Sequence, residues 1–280
     1  MVSSIAIIRD VLNPLQTARF NALLGTQLPS TLNLNLSFGD HLLFCNPFEN
    51  KLDHDGYFHY QHPSSLLASP FLQYKRRLWV QGRIRQHVPS ISLKQPKELI
   101  CKESVQYIKK INEEHFVCLK REINDKEGIP LLEELRTLIY TDSNPQERTT
   151  TTLITDSAGE TIGTFNFKEM DIIRYSQLTL NPHRIHWDKD YCRGTEGYRD
   201  IIVQGPFSLQ VLLRIFEQYL KRQCHDTNIS QIKYKNTAPL YPGTMITIHL
   251  LPGSTPNQYL LSMRDPTNVY LEAYVTLLEK

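Results

Sequence analysis

The alternation of apolar and polar positions divides the chain into short extended segments and a few helices. Residues 208–220 carry the strongest helical pattern. Leu209, Leu212, Leu213, Phe216, Tyr219 and Leu220 recur at the i, i+3, i+4, i+7 spacing of one buried face. Gly205 fits the N-cap of this helix and Pro206 its first position, where a missing N–H costs nothing. Beyond it, residues 233–238, 244–250 and 259–264 read as strands, with Pro242-Gly243 as a turn. In 270–277, Leu271, Ala273, Val275 and Leu277 share one face of a further strand. Before it, 164–168 reads as a strand. Residues 170–178 read as a helix, with Ile173, Tyr175 or Ser176, and Leu178 on one side.

The first half is less regular. Residues 15–24 read as a helix stopped by Gly25. Residues 40–70, rich in Pro, His, Asp, Asn and Ser, read as a long irregular excursion, and long loops are often functional. Strands are expected at 78–84, 104–111, 115–123 and 134–140, with Asn112-Glu113-Glu114 as a turn. Residues 143–158 then hold a proline, four consecutive threonines and little apolar content. The expected division is an N-terminal domain at 1–148, a linker at 149–158 and a C-terminal domain at 159–280. Each half offers one major helix and four or five mostly antiparallel strands, which is an α+β architecture.

Composition narrows the classes. The net charge is +2, and no long Lys/Arg face suggests a nucleic-acid partner. The five cysteines are odd in number and widely spaced, which fits reduced thiols and not a disulfide framework. Cys192 reads as a small packing residue. No apolar run is long enough to span a bilayer. Residues 1–39 contain a single acid, Asp10, with Arg9, Arg19 and several hydroxyl residues, a composition like that of a transit peptide. The same stretch also reads as a native first helix.

Candidate chemistry concentrates in residues 175–207. A polar loop with His183, His186 and Asp188 is followed by the β-branched run Ile201-Ile202-Val203 and by Gln204-Gly205-Pro206-Phe207 at the helix start. Histidine titrates near neutrality and suits proton transfer. Asn181 cannot ionise but can donate and accept hydrogen bonds. The first turn of a helix has free N–H groups and a partial positive charge, so the Gly205 and Phe207 N–H groups are candidate donors to a developing oxyanion. Three plainer readings stand beside these. A lone His186 is as well a structural histidine, Gly-Pro also merely starts helices, and H-x-x-H-x-D is also a metal-ligand string.

The stretch Tyr175-Ser-Gln-Leu178-Thr179-Leu180-Asn181-Pro182-His183-Arg184-Ile185-His186-Trp187-Asp188 resembles the pattern (Y/F)-x-x-L-S-G-D-x-N-P-L-H-x-D of MaoC-like hydratases and dehydratases. Val203-Gln204-Gly205-Pro206 resembles their V-x-G-P segment. The alignment is ungapped. It sets His186 on the family's catalytic histidine and Asp188 on its following acid. Asn181 falls on the catalytic aspartate, His183 on the asparagine, Arg184 on the proline and Leu180 on the glycine. The variant L-T-x-N-x-H-R-I-H-x-D resembles the double-hot-dog subgroup. Three first-half stretches do so too: Phe44-Cys45-Asn46-Pro47, Leu52-Asp53-His54-Asp55-Gly56-Tyr57 and Lys75-Arg76-Arg77-Leu78-Trp79-Val80-Gln81-Gly82-Arg83.

The resemblance implies a double hot-dog fold, in which two antiparallel curved sheets each wrap a central helix. It implies reversible dehydration of 3-hydroxyacyl thioesters on acyl carrier protein or CoA, in mitochondrial (matrix) type II fatty-acid synthesis. It implies no cofactor and no metal, and a monomer or a homodimer of double hot dogs. His186 and Asn181 become the expected catalytic residues. Gly205, Phe207, Gln204, Tyr175 and Asp188 become the expected oxyanion or substrate-binding residues, with Asp188 orienting His186 or capping a turn. His186 would perform both proton transfers in turn, or an acid such as Asp188 would assist. The first half has no counterpart of His186, and a basic rim that includes Arg76, Arg77 or Arg83 is expected to meet an acidic carrier. Two rivals remain open: a hot-dog thioesterase, and a non-catalytic acyl-thioester-binding subunit.

Overall fold

The computed structural model describes residues 4–29, 34–144, 159–223 and 228–278. The first half runs β1 (Ser4–Leu12), α1 (Pro14–Leu24), the four-residue α2 (Pro63–Leu66), β2 (Arg76–Gln86), β3 (Lys97–Ile111), β4 (Glu114–Asp125) and β5 (Pro130–Thr141). The second runs β6 (Glu160–Asn166), α3 (Glu169–Leu178), the short α4 (Lys189–Tyr191), α5 (Gly205–Arg222), β7 (Ile229–Asn236), β8 (Met245–Pro252), β9 (Gln258–Arg264) and β10 (Val269–Leu277). All ten strands join one antiparallel sheet in the order β1-β3-β4-β5-β2-β7-β10-β9-β8-β6. The order is a palindrome when each strand of the first half is matched to its counterpart in the second. The chain is thus two copies of one topology, joined edge to edge by β2 and β7.

The second half follows its pattern. Leu271, Ala273, Val275 and Leu277 of β10 are buried while Tyr274 is 60% exposed, the two-residue period of a half-buried strand. On α5, Leu209, Leu212, Leu213, Phe216 and Leu220 are all buried against this sheet. The helix begins one residue earlier than its sequence suggests: Gln204 is the N-cap and Pro206 lies inside the first turn. In α3 it is Ile172, not Ile173, that faces the core together with Tyr175.

The first half departs from its copy. Its counterpart of the 18-residue α5 is the four-residue α2. The inner face of β3, β4 and β5 meets the irregular segment 40–62 through charges instead of an apolar helix. Arg121, fully buried, bonds Glu103 at 2.8 Å and Glu134 at 2.9 Å. Arg136 bonds Glu134 at 2.9 Å, Tyr60 donates to Glu103 at 2.6 Å, and Tyr140 donates to the Gln61 carbonyl at 2.7 Å. The start of the 40–70 excursion is interior structure: Asp40, His41, Leu42, Leu43, Phe44 and Cys45 are all buried, whereas Phe48 is 85% exposed.

Residues 4–24, acid-poor and transit-like in composition, are strand and helix here. β1 pairs with β3, and Leu12, Phe20 and Leu24 are core residues. β1 is an edge strand whose Ile7 is 63% exposed, so it lacks a clear apolar period. The expected linker at 149–158 lies outside the described residues.

The β2–β7 seam has little slack. A Cβ on Gly82 would collide with the Tyr234 hydroxyl and lie 2.5 Å from the Leu135 carbonyl oxygen, which is backbone and cannot yield. Gly82→Ala is expected to cost about 2–3 kcal/mol, as overpacking of a tight core does. Thermal unfolding of the variant checks this, and an unchanged melting temperature would contradict it.

Candidate active site

The histidine loop is built backward from α3. The Asn181 N–H donates to the Ser176 carbonyl at 2.9 Å, and the Asn181 Oδ1 accepts the His183 N–H at 3.1 Å. Residues Arg184–His186 then form one tight turn. Leu180 sits at φ +52°, a left-handed conformation in which glycine is at ease and leucine is strained. The MaoC-like pattern carries glycine at this position. Behind the loop, residues 201–203 run extended, with Ile202 N–H on the Ile185 carbonyl at 2.9 Å and Val203 N–H on the Leu240 carbonyl at 2.8 Å.

This frame fixes His186. Its Nδ1 lies 2.8 Å from the Ile202 carbonyl oxygen, which can only accept, so Nδ1 carries the proton and Nε2 keeps its lone pair. The ring is buried and lines a cavity of about 170 Å³ together with Asn181, His183 and Gly205. Burial, with His183 beside it, pulls the His186 pKa down to about 3, so the imidazole is neutral at physiological pH. The helical bonds of α5 begin with the Ser208 N–H on the Gln204 carbonyl at 3.0 Å. The N–H groups of Gly205 and Phe207 precede it in the first turn and have no helical acceptor.

The opposite wall comes from the first half: Tyr57, Arg77, Trp79 and Arg136 line the same cavity. The Asp55-Gly56-Tyr57 turn docks onto the histidine loop. Gly56 has φ +77°, and a Cβ there would lie 2.8 Å from the Pro182 carbonyl. The Arg184 N–H donates to the Asp55 carbonyl at 2.9 Å. The Asp55 carboxylate accepts the Tyr57 N–H at 2.9 Å, meets Arg77 Nε at 3.1 Å and faces His183 Nε2 at 3.6 Å. Burial opposes its charge, but Arg77 and His183 hold its pKa below the usual carboxylate value. Arg77 also bonds Asp53 and the Phe58 carbonyl and lies between the rings of Tyr57 and Tyr140. Burial lowers the His183 pKa to about 4, partly offset by Asp55.

A family model described as hydroxyacyl-thioester dehydratase type 2 matches residues 39–242, which span both walls of this cavity. The chain belongs to that family. It is 40% identical to the mitochondrial hydroxyacyl-thioester dehydratase type 2 of Saccharomyces cerevisiae, over 98% of this chain and 99% of the relative. It is 26% identical to the mesaconyl-C(4)-CoA hydratase of Chloroflexus aurantiacus, over 69% of this chain and 66% of that one. Among solved structures, a MaoC-like dehydratase from Phytophthora capsici superposes with a TM-score of 0.68 at 13% identity, covering 100% of this chain and 97% of that one. The double hot-dog class and a dehydratase/hydratase activity follow.

In this dehydratase, His186, Asn181 and Gly205 meet at the cavity, and Phe207 is not among the residues that line it. The other expected residues sit behind the wall. The Phe207 ring is buried and stacks on Tyr175 at 4.5 Å, while the Tyr175 hydroxyl donates to Gln210 at 2.6 Å. Gln204 ties the helix start to α3, donating to the Ile172 carbonyl at 2.9 Å and to Ser176 Oγ at 2.8 Å. Asp188 caps α4 through the Tyr191 N–H at 2.9 Å and pairs with Arg184 at 2.8 Å. His186 Nδ1 is held by the Ile202 carbonyl instead, so Asp188 is the turn cap and not the orienting acid. The same bonds keep His183, His186 and Asp188 from converging as a ligand set, and the described residues contain no cluster of three metal-ligating side chains.

Of the three arginines named for a basic rim, two are not on a rim and Arg83 is partly exposed. Arg76 and Arg77 are buried, with Arg76 bonded to the carbonyls of Glu196, Asp142 and Ser143. Arg83 pairs with Glu133 at 2.8 Å. Sequence reasoning assigned no role to Asp55 or Tyr57, although the stretch containing both was part of the resemblance. It also passed over Glu196, fully buried at the end of a π-helical turn. Burial pushes the Glu196 pKa up to about 8, with the Asp55 charge adding to it, so this carboxyl is protonated at neutral pH.

Two predictions follow from these groups. A carboxyl whose folded pKa lies above its unfolded value stabilises the fold at low pH. That contribution is lost as pH rises from about 4.5 through about 8. Glu196→Gln is therefore expected to remove part of the fall in stability over that window, read as a flatter melting temperature against pH than wild type. Leu180→Gly is expected to relieve the left-handed strain and stabilise by about 1 kcal/mol, measured by urea unfolding.

Proposed function

We propose that the enzyme dehydrates 3-hydroxyacyl thioesters to trans-2-enoyl thioesters, with His186 as the proton-transfer residue. The observation that carries this is the His186 Nδ1–Ile202 carbonyl bond of 2.8 Å, which leaves a neutral imidazole with its acceptor atom free. Nε2 takes the proton from the α-carbon, and the same proton then goes to the departing hydroxyl on the same face. The electron pair of the broken C–H bond becomes the new double bond as the C–O bond breaks and water leaves. Asn181 Oδ1 is held by the loop, which leaves its Nδ2 to donate to the departing oxygen. The N–H groups of Gly205 and Phe207 stabilise the charge on the thioester oxygen, a contribution of about 3 kcal/mol in comparable sites.

The substrate carrier is acyl carrier protein or CoA, and the setting is type II fatty-acid synthesis in the mitochondrial matrix. The relatives from Saccharomyces cerevisiae and Schizosaccharomyces pombe, both named as mitochondrial, support that setting. Residues 1–148 form the half without a catalytic loop and 159–280 the catalytic half. The assembly is a monomer or a homodimer of double hot dogs. Among the described residues no helix is long and apolar enough to cross a membrane.

Hydration of crotonyl-CoA, followed as loss of the enoyl-thioester absorbance, tests the reading. His186→Ala is expected to lower kcat/KM by about 10²–10⁴-fold, as loss of a general acid–base does. Release of free thiol instead of hydration would give the site to a thioesterase. Binding without turnover in wild type would leave only an acyl-binding subunit. Because protonation disables His186, and both histidines stay neutral down to about pH 4, kcat/KM should be flat from about pH 5 to 8 and fall only in stronger acid. A midpoint near 6.5 would contradict the burial argument.

A further inference from the structure

A departing hydroxyl receives a proton from His186 and a hydrogen bond from Asn181 Nδ2, but its own O–H also needs an acceptor. Asn181 Oδ1 has one of its two lone pairs on the His183 N–H at 3.1 Å. A single hydroxyl cannot accept from Nδ2 and donate to Oδ1 of the same amide with good geometry at both.

The His183 ring is placed to fill this need. It lines the cavity beside His186, its ring perpendicular to the His186 ring at 5.4 Å between centroids. Its Nε2 is turned away into the protein. That atom is buried, makes no hydrogen bond and faces Asp55 Oδ2 at 3.6 Å. The carboxylate is held there by Arg77 and the Tyr57 N–H, all contributed by the first half. A buried anion opposite Nε2 favours the tautomer with the proton on Nε2 and leaves the lone pair on Nδ1. Burying an Asp–Arg pair is costly, and here it orders an imidazole that belongs to the other half of the molecule.

We propose that His183 is a second catalytic residue, whose Nδ1 accepts the hydrogen bond of the leaving hydroxyl or, in the hydration direction, of the attacking water. Asp55 is its positioning residue. His183 stays neutral throughout: the transferred proton moves only between the α-carbon, His186 Nε2 and the oxygen. In hydration, water gives that proton to His186 and its hydroxide to the β-carbon, and the proton then passes to the α-carbon.

The inference rests on the dehydratase reading, and the test separates the two. Crotonyl-CoA hydration is measured in wild type, His183→Leu, Asn181→Asp/His183→Leu, Asp55→Asn and Asp55→Asn/His183→Leu, with melting temperatures taken alongside. His183→Leu keeps the backbone N–H that bonds Asn181 Oδ1 and removes the ring nitrogens. It should lower kcat at least 30-fold with a smaller change in KM. Asn181→Asp supplies a carboxylate acceptor two positions away on the same loop, so the Asn181→Asp/His183→Leu variant should recover at least tenfold of that loss. Asp55→Asn should lower kcat in the wild-type background and cost little more once His183 is gone, because the two act as a unit.

An inactive wild type sinks the dehydratase reading itself. An active wild type with full activity in His183→Leu overturns the His183 proposal alone. So does a His183→Leu loss that Asn181→Asp fails to recover in a variant that melts like wild type, since His183 would then only pack. Additive losses in Asp55→Asn/His183→Leu would overturn the positioning role of Asp55.

Discussion

The antiparallel pairing of β2 with β7 is the constraint on which the rest depends. It turns two half-sheets into one sheet and sets the inner faces of both halves around a single cavity. Each half closes its own outer side with its own strands, but neither closes the cavity. Gly82 makes the seam close enough for Tyr234 to lie against it. A wider seam would separate the Asp55-Gly56-Tyr57 turn from the Pro182 carbonyl, and the histidine loop would lose its outer support.

The two copies of the topology have divided their tasks through different inner faces. The second half buries an 18-residue amphipathic helix, and Gly205 at the start of that helix lines the cavity. The first half has a short turn and an irregular segment in its place, and its inner face is ionic. Glu103, Arg121, Glu134 and Arg136 satisfy one another there. Such a network adds little net stability over an apolar core but penalises the loss of any member heavily. The first half also reaches the histidine loop, with Asp55, paired to Arg77, facing His183 at 3.6 Å.

Legibility in the sequence followed periodicity. β10 and α5 could be read directly, since each has one dry face and one wet face over enough residues. β1 could not, because an edge strand with an exposed Ile7 shows no such contrast. The segment 40–62 read only as an irregular excursion because its buried residues include Asp40, His41 and Gln61, with partners far away in the chain. At the site, His186, Asn181 and Gly205 stood out because the histidine loop and the helix start are adjacent in sequence. For Asp188 the sequence left two readings open, an orienter of His186 or a turn cap, and the turn sends the carboxylate to Arg184 and Tyr191. Asp55 and Arg77 lay in stretches that carried the resemblance, but their contact with the histidine loop appears only when the seam brings the halves together.

The bond between Gln210 of α5 and Asp40, separated by 170 residues at 3.0 Å, bears on how the chain is made. Arg214 of the same helix also binds Asp40, and Glu217 accepts the Phe38 N–H at 3.0 Å. During vectorial synthesis the segment around Asp40 leaves the ribosome long before α5 exists. In that interval the Asp40 carboxylate lacks the Gln210 and Arg214 that hold it in the finished fold, although its neighbours His41 and Cys45 can already meet first-half residues. The inner face of the first half is complete only once α5 has been made.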